Sequence, residues 1–206
     1  MLLIAADTPF WQGETDEAAR AQSLIRGLAA NTPDLCLYHG DTLTPPERAA
    51  LEAAFPSMAV HDLPEAIRIR RMRRNRFRAI ARRLGANTPP GPLLREQRED
   101  FMRLCERVAP WAIFSLSPRL SDLIQRLPAP CPRTWVDCAG ARVLRVARNA
   151  AEVADAAQER QWLDRFDGLV AATESDAAAL AGMFPGKGIV TVEDDPAVLV
   201  EALKRK

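Results

Sequence analysis

The sequence predicts a single α/β domain of three layers built around a mostly parallel sheet. Short apolar runs alternate with longer segments of helical period, as repeated βα units require. A length of 206 residues, 48% of them apolar, suits one well-packed domain and excludes disorder by composition. The apolar runs also fall far short of the roughly 20 residues that a membrane-spanning helix needs.

Leu2-Leu3-Ile4-Ala5-Ala6 reads as a central strand buried on both faces. It lacks a basic flank and a small-residue cleavage site, so it is not expected to be a signal peptide. A cytoplasmic protein is the expectation, with room for peripheral attachment at the inner face of a membrane. Ala18, Ala21, Leu24, Ile25 and Leu28 recur at helical spacing and predict a helix over 16–30. Asp34 to Tyr38 gives the second strand. Thr44-Pro45-Pro46-Glu47 is an N-cap followed by early prolines, opening a helix to about Ala54. Ser57 to Val60 gives a short third strand, and a basic helix follows over about 64–84. The prolines within 85–93 exclude a continuous helix there and mark a loop. Leu94, Phe101, Leu104 and Val108 mark the next helix face. Three further units pair strands at Trp111 to Ser115, Thr134 to Asp137 and Gly168 to Ala172 with helices near 118–127, 150–165 and 176–184. Ile189 to Val192 and a terminal helix over 196–205 close the chain.

Charge is uneven along this framework. Net charge is +1, yet Ala66 to Arg95 holds ten arginines and no carboxylate, which leaves 18 basic against 27 acidic residues, or −9, elsewhere. Projected at 100° per residue, Ile69, Met72, Phe77, Ile80 and Leu84 share one arc, and Arg68, Arg71, Arg74, Arg78 and Arg82 fall opposite. Arg73, Arg76 and Arg83 intrude on the apolar arc. An anionic membrane, an acidic protein partner or the acidic remainder of the chain, and nucleic acid are all open as counterparts. Phe77 is the one aromatic in the stretch, which disfavours a base-stacking platform.

Four cysteines without a CxxC pair, and two histidines, predict neither a zinc site nor a disulfide framework; the cysteines are expected as small buried hydrophobes. No phosphate-binding loop, dinucleotide fingerprint or nucleophile elbow is present, so no cofactor is expected. In open α/β sheets ligands sit beyond the carboxyl ends of the strands. The loops there offer Trp11, Gly13, Glu14, His39, Ser117, Arg119, Asp137 and Glu174 as candidates for a polar or sugar-like ligand. Each has a second reading. Asp137 is equally a loop or cap aspartate, Thr173 with Asp176 fits a helix cap, and Trp11 either stacks on a ligand or shields its loop. His39 followed by Gly40-Asp41 could serve as a base, but two weak matches make no catalytic pair.

The order of several short blocks adds a resemblance. Asp167-Gly168-Leu169-Val170-Ala171-Ala172-Thr173-Glu174-Ser175-Asp176, then Ala179-Leu180, resembles a recurring block of glycosyltransferase family 4. Thr134-Trp135-Val136-Asp137, the basic stretch Arg142 to Arg148, Glu159-Arg160 and Phe166-Asp167 keep that family's order. Thr8-Pro9-Phe10-Trp11-Gln12-Gly13, followed by Arg20 and Leu24, resembles its first loop, with Glu14 where a second glycine usually stands. The resemblance implies a Rossmann-like GT-B N-terminal half that binds a sugar or lipid-linked acceptor. It also implies that the half binding the nucleotide sugar comes from a separate subunit, because Glu193 to Leu203 looks like a closing GT-B helix. Arg68, Arg70, Arg71, Arg74, Arg78 and Arg82 are, by the same resemblance, a membrane- or partner-docking face. The alternative expectation is a non-catalytic GT-B-derived binding or scaffold module.

Overall fold

Strand β1 (Leu2–Ala6) lies mid-sheet, with every residue buried. The computed structural model describes residues 1–13, 15–83, 94–124, 127, 132–145, 150–192 and 196–204. On either side of β1 run β2 (Leu35–His39) and β4 (Ala112–Ser115), both parallel to it. With β3 (Ala59–Asp62), β5 (Arg133–Asp137), β6 (Gly168–Ala171) and β7 (Gly188–Thr191), they form one seven-stranded parallel sheet in the order 3-2-1-4-5-6-7.

Alternation along the strands divides the core. Leu2, Ile4 and Ala6 pack with Leu24, Ile25 and Leu28 of α1 (Asp16–Asn31), Leu51 of α2 (Pro45–Ala54), and Leu199 and Leu203 of α8 (Pro196–Lys204). Leu3 and Ala5 face the other way, onto Phe101 and Leu104 of α4 (Arg95–Val108) and Leu123 of α5 (Ser121–Ile124). Farther along, Val136, Leu169 and Ala171 pack with Leu163 of α6 (Ala150–Leu163) and Leu180 of α7 (Glu174–Met183). Side chains leave alternate faces of a strand, so covering both faces makes β1 wholly apolar.

Local signals start several of these helices as expected. Thr44 and Glu47 form a capping box, and Thr15 and Thr173 cap α1 and α7 by accepting from Ala18 N and Asp176 N, each at 3.1 Å. Other boundaries move. The third strand lies two residues later than expected, because Val60 and Asp62 pair with Leu37 and His39. The helix near 118–127 divides into a 3₁₀ turn, Pro118–Leu120, and the short α5, with residues 125 and 126 outside the description. Short 3₁₀ turns at Phe10–Gln12 and Arg142–Leu144 carry no periodic signal and were not expected. The loop 85–93 and Cys131 also lie outside the described residues. Cys36, Cys105 and Cys138 are buried, as their type suggests.

The basic helix α3 (Glu65–Arg83) turns part of its arginine arc toward the protein. Arg71 donates to Gly40 O and the Asp41 carboxylate, and Arg68 lies 3.9 Å from the same carboxylate. Arg70 bonds Glu96 at 2.6 Å. These arginines meet the protein's own acidic groups just after β2 and at the start of α4, one of the counterparts the sequence left open. Arg74 is half-buried, and the side chains of Arg78 and Arg82 lie outside the description. The apolar arc points outward instead: Ile69, Met72, Ile80 and, at 74%, Phe77 are exposed.

Candidate functional site

The sheet reverses its order between β1 and β4, so the connections that follow these two strands depart to opposite sides. A crevice opens where they part, at the carboxyl ends of the strands. Here it holds a cavity of about 470 Å³. Asp7, Thr8 and Pro9 after β1 form one wall, and Leu116, Ser117 and Pro118 after β4 another. Asp137 at the end of β5 and Ala139, Gly140 and Ala141 after it close a third side, while Thr15 and Glu17 at the start of α1 and Glu159 from α6 complete it.

Asp137 ends β5 and is only 7% exposed. Its Oδ1 accepts from Arg20 at 3.4 Å and from Ala139 N at 3.3 Å. Arg20 divides its guanidinium further, donating to Ala171 O at 3.2 Å and Val192 O at 3.3 Å. One arginine on α1 thereby ties together the ends of β5, β6 and β7. Burial pushes the Asp137 carboxyl above its ordinary range, and Arg20 beside it opposes that only in part. Glu159 is raised too, again chiefly by burial, while its Oε2 accepts from Val143 N at 3.0 Å. Gly140 holds φ +71°, and an added Cβ would meet Glu17 Oε1 at 2.7 Å, so glycine keeps this wall close to α1.

Of the residues expected to bind, Ser117 and Asp137 line the cavity. Trp11 does not line the cavity: it is 5% exposed and packs edge-on against Phe10 and His39, which fits the loop-shielding reading. His39 is likewise buried at 4%. Its Nδ1 bonds the backbone oxygen of Asp41 at 3.0 Å and not the carboxylate, so no His–Asp pair forms. Gly13 (φ +65°) ends the 3₁₀ turn, Arg119 is exposed beside it in sequence to Ser117, and Glu174 opens α7; none of the three lines the cavity. Glu14 is outside the described residues. Asp167, prominent in the sequence block, is structural: its Oδ2 accepts from Thr134 N at 2.8 Å and Thr134 Oγ1 at 2.9 Å.

Sequence reasoning passed over Asp7, Glu17 and the cavity-facing part of Glu159. Asp7 directly follows a buried strand, which is a usable signal. The two glutamates sit on helices, where a carboxylate normally reads as solvated surface. Among the described residues no group of three or more His, Cys, Asp or Glu is placed to hold a metal ion. No described helix is long and apolar enough to cross a membrane.

No protein-family model and no curated protein matches the chain. Solved structures match its shape. Apo UGT2 of Phytolacca americana, a UDP-glycosyltransferase, superposes with a TM-score of 0.54 at 9% identity, over 93% of this chain and 51% of that one. The fold is glycosyltransferase-like. LpCGTa, solved in complex with UDP, gives a TM-score of 0.49 at 12% identity, over 94% of this chain and 53% of that one. The chain thus spans about half the length of the glycosyltransferases it matches.

Proposed function

We propose that this chain is the acceptor-binding half of a GT-B glycosyltransferase, of the family 4 type, working with a nucleotide-sugar-binding half on a separate subunit. The observation that supports this reading most is the cavity at the β1/β4 reversal, walled by carboxylates and hydroxyls in a glycosyltransferase-like fold. Thr8, Thr15, Ser117 and the carboxylates can exchange hydrogen bonds with the hydroxyls of an acceptor, which water otherwise satisfies. A carboxyl raised by burial, such as Asp137, is also better placed to take a proton than an exposed aspartate. The test has two stages. Tagged protein is purified from its native host, and co-purifying proteins are identified in soluble and detergent-extracted fractions. A nucleotide-sugar turnover assay then compares the chain alone with the pair. Turnover by the pair only is expected. Robust transfer by the isolated chain, or no companion subunit in either fraction, counts against a split enzyme and favours a binding or scaffold module.

A second role is supported by the outward apolar arc of α3. Ile69, Met72, Phe77 and Ile80 are exposed on a helix whose exposed arginines include Arg73 and Arg76, and such a helix suits the interface of an anionic bilayer. We propose that α3 docks the protein on such a surface and presents the cavity to a lipid-linked acceptor. Co-sedimentation with anionic vesicles, lost with Phe77→Ser and weak on neutral vesicles, is the expected result. Equal binding to neutral vesicles, or no binding, sinks this role.

A further inference from the structure

We propose that the turn at Gly40 and Asp41 is a strap that carries the docking of α3 on an anionic bilayer to the first wall of the cavity. This rests on the docking role given to α3 and adds to it a control over the cavity.

The strap is continuous in hydrogen bonds. On the α3 side, Arg71 donates to Gly40 O and to the Asp41 carboxylate, and Leu63 N, just before the helix, donates to Asp41 O at 3.2 Å. Gln97 holds the same Gly40 O only through a long contact of 3.4 Å, so Arg71 is the firmer grip. On the cavity side, Gly40 N donates to Ala6 O at 2.7 Å, one residue before the lining residue Asp7. A Cβ at Gly40 would stand 3.5 Å from Asp7 Cβ, which puts the turn against the wall itself. His39 Nδ1 donates to Asp41 O at 3.0 Å, and its ring lies edge-on to Trp11, which sits in sequence between the lining residues Pro9 and Gln12.

Unpaired polar atoms mark this arrangement as one of two. Trp11 Nε1, His39 Nε2 and Gln97 Oε1 all flank the strap without a hydrogen-bond partner among the described residues, on side chains more than nine-tenths buried. Buried polar groups are nearly always paired, and leaving them unpaired disfavours the packing that does so. Because a carbonyl oxygen only accepts, His39 Nδ1 carries the ring proton and Nε2 is left as an acceptor. Trp11 Nε1 only donates. The two are complementary and belong to rings with centroids 5.3 Å apart, so in the second arrangement Trp11 donates to His39. Docking supplies the bias between the two. A bilayer surface favours the tilt of α3 that sinks Ile69, Met72, Phe77 and Ile80 deepest, and Arg71 passes that tilt to Gly40 and Asp41.

The experiment follows amide hydrogen exchange of the full chain by mass spectrometry, free and bound to vesicles of equal parts phosphatidylglycerol and phosphatidylcholine. Amides in 7–13 and 38–42, which lie off α3, are expected to exchange about fivefold more slowly on the vesicle, the factor one net hydrogen bond supplies. Arg71→Met is expected to sediment with the vesicles as the parent does and to lose that slowing. Trp11→Phe keeps an aromatic ring in place but has no Nε1–H, and is expected to do the same; it stands in where Arg71→Met disturbs folding. Sedimentation of the parent with unchanged exchange in 7–13, or full slowing in either folded variant, overturns the strap and leaves the docking role standing. No sedimentation of the parent overturns both.

Discussion

Replacing Arg20 by methionine tests whether the Arg20–Asp137 pair holds the C-terminal ends of the sheet together. Methionine keeps much of the aliphatic stem but removes the contacts to Asp137, Ala171 O and Val192 O. Breaking a buried ion pair costs about 3–5 kcal/mol, because the remaining charge is stranded. The present pair is looser: the Asp137 contact is 3.4 Å and Arg20 is 22% exposed, so water can partly replace the guanidinium. A loss of about 2–3 kcal/mol follows, which in a domain of this size lowers Tm by roughly 5–10 °C. The loss should also depend on pH. Burial already holds the folded Asp137 carboxyl above its ordinary value of 3.8, so its ionisation draws stability down as pH rises through the folded value. Without Arg20 that value moves higher, the ionised form becomes more costly, and the variant's deficit grows from pH 5 to pH 7.5. Asp137→Asn in the same background should remove this pH dependence. Urea unfolding at the two pH values measures both quantities. A variant within about 0.5 kcal/mol of the parent, or one with the same deficit at both pH values, would refute the reasoning.

Three further outcomes follow from local geometry. Gly168→Ala should lower stability by about 1–3 kcal/mol in urea unfolding, because a Cβ there lands 2.3 Å from the Trp135 ring and forces the indole off the sheet; Trp135→Leu in the same background should recover part of the loss. Thr44→Ala removes the side-chain half of the capping box of α2, the Oγ1 that accepts from Glu47 N, and should cost about 1 kcal/mol, read as a Tm drop of roughly 2–4 °C. Burial raises the thiols of Cys36 and Cys138, so at pH 8 their alkylation in the native protein should be far slower than in urea-unfolded chain, followed by mass spectrometry; equal rates would contradict their burial.

Much of the architecture was determined by local pattern. β1 is apolar at every position because both faces are covered, and Thr15, Thr44 and Thr173 each cap a helix within the next three residues. Such signals act over one turn or one strand and can be read without knowing what lies opposite. Asp137 was legible as a candidate because it ends a predicted strand, and it does line the cavity. Its dependence on Arg20, 117 positions away, was not, since the pairing exists only once β5 and α1 are packed. For Trp11 the sequence left stacking and shielding open for the same reason: its contacts with Phe10 and His39 exist only once the loop is packed. The clearest division is α3. The sequence by itself determined that this helix has an apolar arc and an arginine arc. Only the tertiary structure decided which one faces water, because Asp41 and Gly40 O draw Arg71 inward with more specific attraction than the core offers to Ile69 or Phe77.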